Sequence, residues 1–149
     1  MTELRRASHC VYKIRYHMVL CLKYRKKQLY DDNRVAFFKC VLEEIAKRYW
    51  FEFDSIGTDG DHVHLLIGAA PRYAPSKVMQ IIKSITAREL LRRYPEIREE
   101  LWGGEFWHDG GYIGTVGESV TGEIIRKYIE KHGTPEEKEG YKQMKLIEF

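Results

Sequence analysis

From Val11 to Leu22 the side chains fall in two rows. Tyr12, Ile14, Tyr16, Met18, Leu20 and Leu22 form one almost wholly apolar row, and Val11, Val19 and Cys21 lie on the other. Alternation of period two predicts a strand. The period then lengthens: Asp31-Asp32-Asn33 offers cap residues, and Val35, Phe38, Leu42, Ile45 and Tyr49 recur at helical spacing. This predicts a helix ending near Trp50. Phe51 to Thr58 and Val63 to Ile67 read as two strands joined by Asp59-Gly60-Asp61, a turn sequence that tolerates positive φ. Pro71 and Pro75 punctuate a loop, after which Val78, Ile81, Ile82, Ile85 and Leu90 mark a second long helix that stops near Tyr94-Pro95. A short helical piece over Glu96–Leu101 leads to Trp102-Gly103-Gly104. Phe106 to Val116 follows as a fourth, glycine-broken strand. Ser119 starts a last helix, Val120 to His132, with Ile125 and Ile129 on its inner side. Beyond Gly133 the charged segment predicts a short amphipathic helix or a loose tail.

The order β-α-β-β-α-β followed by a C-terminal helix is that of a ferredoxin-like (RRM-like) α+β sandwich. Two helices cover one face of a four-stranded antiparallel sheet in that fold. The 149 residues fit a single domain, 1–149, with 133–149 as its tail. A composition of 44% hydrophobic and 13% aromatic residues supports a real core and excludes a disordered, collagen-like or coiled-coil chain. Lys+Arg 25 against Asp+Glu 22 permits a nucleic-acid partner without demanding one. Cys10, Cys21 and Cys40 are an odd set without a CxxC pair, which predicts ordinary thiols in a reducing compartment. The first residues lack the apolar stretch of a signal peptide, and no run approaches the roughly 20 apolar residues that span a bilayer. The expected location is the cytoplasm, with no membrane partner.

Candidate chemistry begins with Asp61-His62-Val63-His64-Leu65-Leu66. Histidines two apart on a strand point to one face, a spacing that serves either metal chelation or a pair of exposed or hydrogen-bonded rings. On the last helix Tyr128 and His132 are four residues apart and share a face beside the isoleucine stripe, so Tyr128 is either a packing residue or a presented hydroxyl. Lys23-Tyr24-Arg25-Lys26-Lys27 after the first strand, and Lys83, Arg88, Arg92 and Arg93 on the second helix, set cations among aromatics. That composition suits phosphate and base contacts as well as plain solvated surface. No phosphate-cradling glycine loop, nucleophile elbow or dinucleotide fingerprint is present, so ATP, acyl-transfer and hydride-transfer chemistry have no support.

Taken together, five ordered blocks resemble the single-tyrosine HUH transposases (TnpA-type) of the smallest prokaryotic insertion sequences. The blocks are Tyr16-His17-Met18-Val19-Leu20-Cys21-Leu22-Lys23-Tyr24-Arg25, Asp61-His62-Val63-His64-Leu65-Leu66, Lys83-Ser84-Ile85-Thr86-Ala87-Arg88, Leu101-Trp102-Gly103-Gly104 with Trp107, and Lys127-Tyr128-Ile129-Glu130. The resemblance implies His62 and His64 as ligands of a divalent metal, Mg²⁺ or Mn²⁺, and Tyr128 as a nucleophile that attacks single-stranded DNA at element ends. The products are then a 5′-phosphotyrosine and a free 3′-OH. It further implies subterminal DNA hairpins as substrate, a homodimer whose tyrosine helix docks against the partner's metal site, and DNA contacts from Lys23, Arg25, Lys26, Lys27, Lys83 and Arg88. Where the family commonly has glutamine four residues after the tyrosine, this chain has His132. An imidazole there makes a three-histidine site that favours softer first-row ions such as Mn²⁺. Gly110, Gly111, Gly114 and Gly117 either allow the tyrosine helix to swing or shape a bent strand. Two other classes share these residues: a non-catalytic single-strand binder with structural histidines, and a relaxase-like or replication-initiator-like nuclease.

Overall fold

The computed structural model describes residues 4–7, 9–101 and 105–116, with the side chain of Arg25 left aside. Trp102-Gly103-Gly104, Gly117, the expected helix bearing Tyr128 and His132, and the tail lie outside the described residues. Among the described residues, six strands and three helices follow in order: β1 (Arg5–Arg6), β2 (Val11–Tyr12), β3 (Arg15–Cys21), α1 (Asp32–Tyr49), β4 (Glu52–Thr58), β5 (His62–Gly68), α2 (Pro75–Arg93), α3 (Glu96–Glu100) and β6 (Tyr112–Thr115). A single 3₁₀ turn, Lys23–Arg25, follows β3. β4, β5, β3 and β6 form one sheet in that spatial order, every pair antiparallel. This is the ferredoxin-like arrangement predicted by the element order.

Local chemistry sets the helix ends. Asp31 caps α1 by accepting from the Arg34 N–H at 2.7 Å, and the helix stops where Trp50 turns to φ 62°. Pro75 opens α2, where its missing N–H loses no intrahelical bond. Both helices pack on the sheet face carrying Met18, Leu20, Val63, Leu65 and Ile67, all with no more than 0% exposure, together with Phe38, Leu42, Ile45, Val78 and Ile82. No helix among the described residues is long and apolar enough to cross a membrane.

Two strands differ from their sequence patterns. The alternation over Val11–Leu22 does not make one strand, because Arg15 pairs with Gly68 and Gly68 is the last residue of β5. Residues before Arg15 have no β5 partner, and Val11–Tyr12 pairs instead with Arg5–Arg6 in a separate ribbon. The buried Arg15 guanidinium marks the break, donating to Asp54 at 2.7 Å and Glu52 at 2.6 Å. Along the expected fourth strand, Trp107 bridges Leu22 and regular pairing resumes only at Tyr112 opposite Val19. The Asp109-Gly110-Gly111 stretch supplies more chain than β3 can pair, so it bulges out.

Trp107 is tied to α2. Its Nε1–H donates to Thr86 Oγ1 at 2.9 Å, and the same hydroxyl donates to the Ile82 carbonyl at 2.6 Å. Thr86→Val keeps the shape and leaves the buried indole N–H without its acceptor. The expected loss is about 1–3 kcal/mol of unfolding free energy in urea titrations, with Thr86→Ser retaining most of it; equal stability of the valine variant would contradict this account.

Candidate functional site

The alternation of β5 sends Val63, Leu65 and Ile67 to the helices, and so sends His62 and His64 to the opposite face. Both rings are buried, at 3% and 1% exposure, with centroids 5.3 Å apart and planes at 70°. Register adds neighbours from β3: Cys21 lies opposite His62, Val19 opposite His64, and His17 one step diagonal to His64. His17 Nε2 sits 3.1 Å from His64 Nδ1, with the two rings stacked at 5.4 Å. Tyr112 on β6 meets His17 edge-on at 5.7 Å. Gly114, opposite His17, makes this fit possible, because a Cβ there would meet Tyr112 Oη at 2.5 Å.

His62 is held from its other side. Its Nδ1 lies 2.6 Å from Asp61 Oδ1. Asp61 and Asp59 come from the hairpin turn, in which Gly60 takes φ 70° and the Asp59 N–H donates to the His62 carbonyl. Ligand atoms of Asp59, Asp61 and His62 all lie within 4.8 Å of one another, close enough to hold a metal ion. Nitrogen and carboxylate donors together suit a first-row divalent ion. Burial lowers the basicity of His17 to about 4, so its ring is neutral at physiological pH.

The structure therefore brings His62 and His64 together as the spacing predicts, and adds three groups that sequence reasoning missed. Asp61 could have been found as the carboxylate directly before the first histidine. His17 has the same parity as Val19 and Cys21, so it shares their face. Tyr112 carries no local signal, because only the strand pairing places it there. Tyr128 and His132 lie outside the described residues.

The basic residues do not form one patch. Lys23 pairs with Glu105 at 2.9 Å, a contact that raises its basicity, and lies over the Tyr24 ring. Lys26 Nζ donates to the Glu100 carbonyl at 3.1 Å, and Lys27 is exposed beside the turn at Gly60. Lys83 donates to the carbonyls of His108, Asp109 and Gly110 at 2.9, 3.4 and 2.8 Å. Burial lowers its basicity, opposed by Cys21 and Asp109. Arg88 is exposed on another side of α2, next to Arg48 of α1. Lys23 and Lys83 thus hold the segment leading into β6, and the side chain of Arg25 lies outside the described set.

Comparison with known proteins fits this geometry. The sequence profile described as "Transposase IS200 like" matches residues 10–132. The chain belongs to the IS200-like transposase family. It is 34% identical over 128 residues to the ISDra2 transposase TnpA of Deinococcus radiodurans, covering 86% of this chain and 90% of that protein. It is 27% identical over 142 residues to the transposase for insertion sequence element IS200 of Salmonella typhimurium, covering 94% and 90%. A crystal structure of a Deinococcus radiodurans transposase superposes with TM-score 0.68 at 31% identity, over 85% of this chain and 96% of that one. A REP-associated tyrosine transposase bound to a REP hairpin shares the fold, with TM-score 0.58 at 16% identity over 89% and 75% of the two chains. Like these relatives the protein is an enzyme, a transposase.

The lysine clamp on the bulge of this transposase is open to direct measurement. Lys83→Met removes charge-assisted bonds to three carbonyls, which lowers the cost of local opening by on the order of 1–2 kcal/mol. The His108 and Gly110 amides, which donate to the Cys21 carbonyl and to His108 Nδ1, should exchange roughly tenfold faster while β3 and β5 keep their protection. Unchanged exchange at these amides would remove Lys83 from the clamp.

Proposed function

We propose that this transposase is metal-dependent and cleaves and rejoins single-stranded DNA at insertion-sequence ends through a 5′-phosphotyrosine on Tyr128. The observation that carries this reading is the pair of buried imidazoles on β5, each with Nδ1 against a second group. Two such rings on one face, with Asp61 beside them, are a fitting donor set for Mg²⁺ or Mn²⁺, and His132 would complete it from the tyrosine helix. A divalent ion held there would polarise a phosphoryl oxygen and offset charge developing on the leaving oxygen.

Within this scheme His62 and His64 hold the ion, and Asp61 fixes the ring of His62. Tyr128 Oη gives up its proton and bonds to phosphorus, the bond from phosphorus to the 3′ oxygen breaks, and that oxygen leaves as a hydroxyl. Bond energy is retained in the phosphotyrosine, so rejoining needs no ATP. Lys27 and Arg88, both exposed, are open to phosphate, with Arg25 and Lys26 beside Lys27 in the chain. Subterminal hairpins are the expected substrate form, a reading supported by the hairpin-bound tyrosine transposase of the same fold. The working form is a homodimer in which the tyrosine helix serves the metal site of the partner.

Two sets of variants test the scheme. Tyr128→Phe removes only the attacking oxygen, so hairpin binding should persist while the SDS-resistant protein–DNA adduct disappears. An undiminished adduct would shift the role to another residue, with Tyr112 first among them. His62→Ala and His64→Ala should each abolish cleavage and weaken Mn²⁺ binding by more than the roughly 10–100-fold that loss of an outer partner costs. Calorimetry with unchanged Mn²⁺ affinity in both would defeat the metal assignment.

A further inference from the structure

A metal-ligating histidine needs a lone pair on one ring nitrogen, and which nitrogen offers it is decided by the bond the other one makes. His62 settles this with a carboxylate: its Nδ1 faces Asp61 Oδ1 at 2.6 Å, so the proton sits on Nδ1 and Nε2 carries the lone pair. At the equivalent atom of His64 the described neighbour is another imidazole. His64 Nδ1 lies 3.1 Å from Nε2 of His17. One of these two nitrogens must donate and the other accept.

We propose that His17 is a positioning residue which, by accepting at Nε2 from the Nδ1–H of His64, holds His64 in the tautomer whose Nε2 ligates the metal. This rests on the reading of His64 as a ligand. Three further contacts argue that His17 is built to do it. Its ring is stacked on His64 with an interplanar angle of 18°, its edge is packed by Tyr112, and the residue opposite it is Gly114, without which Tyr112 would not fit. The ring is thereby fixed in plane and position. An imidazole so held offers its Nε2 as the acceptor in the role that a carboxylate plays for His62.

The test reads the tautomer in metal-free protein and the metal affinity separately. Long-range ¹H–¹⁵N correlation spectra should show the His64 proton on Nδ1 in the wild type. In His17→Phe the Nε2–H form should become populated, and Mn²⁺ affinity by calorimetry should fall about 10–100-fold. His17→Gln, whose amide oxygen reaches the Nε2 position, should restore both, whereas His17→Asn, which stops short, should restore neither. The Gln and Asn pair carries the same contrast should the Phe variant not fold. A wild-type His64 protonated on Nε2, or Mn²⁺ affinity equal in the wild type and in the Phe and Asn variants, overturns the positioning role. The two readings fail differently: if His64→Ala loses Mn²⁺ while His17→Phe and His17→Asn keep it, only the role of His17 falls, and if His64→Ala keeps Mn²⁺, the ligand reading falls and takes this proposal with it.

Discussion

The antiparallel register of β3 on β5 is the constraint on which the site depends. Side chains on paired strands alternate with period two, so a slip of one residue would exchange the two faces of the strand. With Val19 opposite His64, the row Met18, Leu20, Leu65 and Ile67 meets α1 and α2, and the row His17, Val19, Cys21, His62 and His64 collects on the other face. The apolar row fixes the register because burying it is the dominant favourable term. The histidine geometry is then a by-product of core packing, and no residue of the site has to stabilise its own position on the sheet.

Such a site still has to satisfy buried polar atoms. An unpartnered buried imidazole, ammonium or guanidinium costs more than its bond returns, and the structure answers each case locally. Asp61 faces His62, His17 faces His64, three carbonyls receive Lys83, and Asp54 with Glu52 receive Arg15. Arg34 follows the same rule in α1, donating to the Gln28 carbonyl and Oε1 while lying between the rings of Tyr30 and Tyr94. Asp61, Lys83 and Arg34 tie loops to regular elements, whereas His17 and Arg15 tie β3 to β5 and β4, so the polar interior orders segments that hydrophobic periodicity leaves undetermined.

That division explains what could be read from the chain. α1, α2, β4 and β5 announce themselves through period and punctuation, and His62 and His64 follow from the pleat alone. The late start of β3 at Arg15 could not be read, because it depends on where β5 runs out at Gly68, a tertiary fact. The bulge at Asp109-Gly110-Gly111 showed only as glycines, since its cause is the anchoring of Trp107 on Thr86 at one end and of Tyr112 on Val19 at the other. His17 shares its face with Val19 and Cys21 by parity, but its contact with His64, like that of Tyr112 with His17, depends on which strands pair.

Charge shows how much composition leaves open. An excess of three cations, with basic runs after β3 and along α2, suits phosphate contacts as well as plain solvated surface. In the folded chain Arg15 and Arg34 are buried, Lys83 is inserted into a bulge, and Lys23 is paired with Glu105. These four cations hold strands, helices and the β6 approach together, and a cation fixed by protein oxygen atoms neutralises little of a phosphate backbone. Other cations remain exposed on separate elements, Lys27 after β3, Lys47 and Arg48 on α1, and Arg88, Arg92 and Arg93 on α2 among them. Contact at several separated points restrains the orientation of a structured nucleic acid more than one continuous basic stripe does, so a spread of cations over several elements is no less suited to such a partner than a single patch.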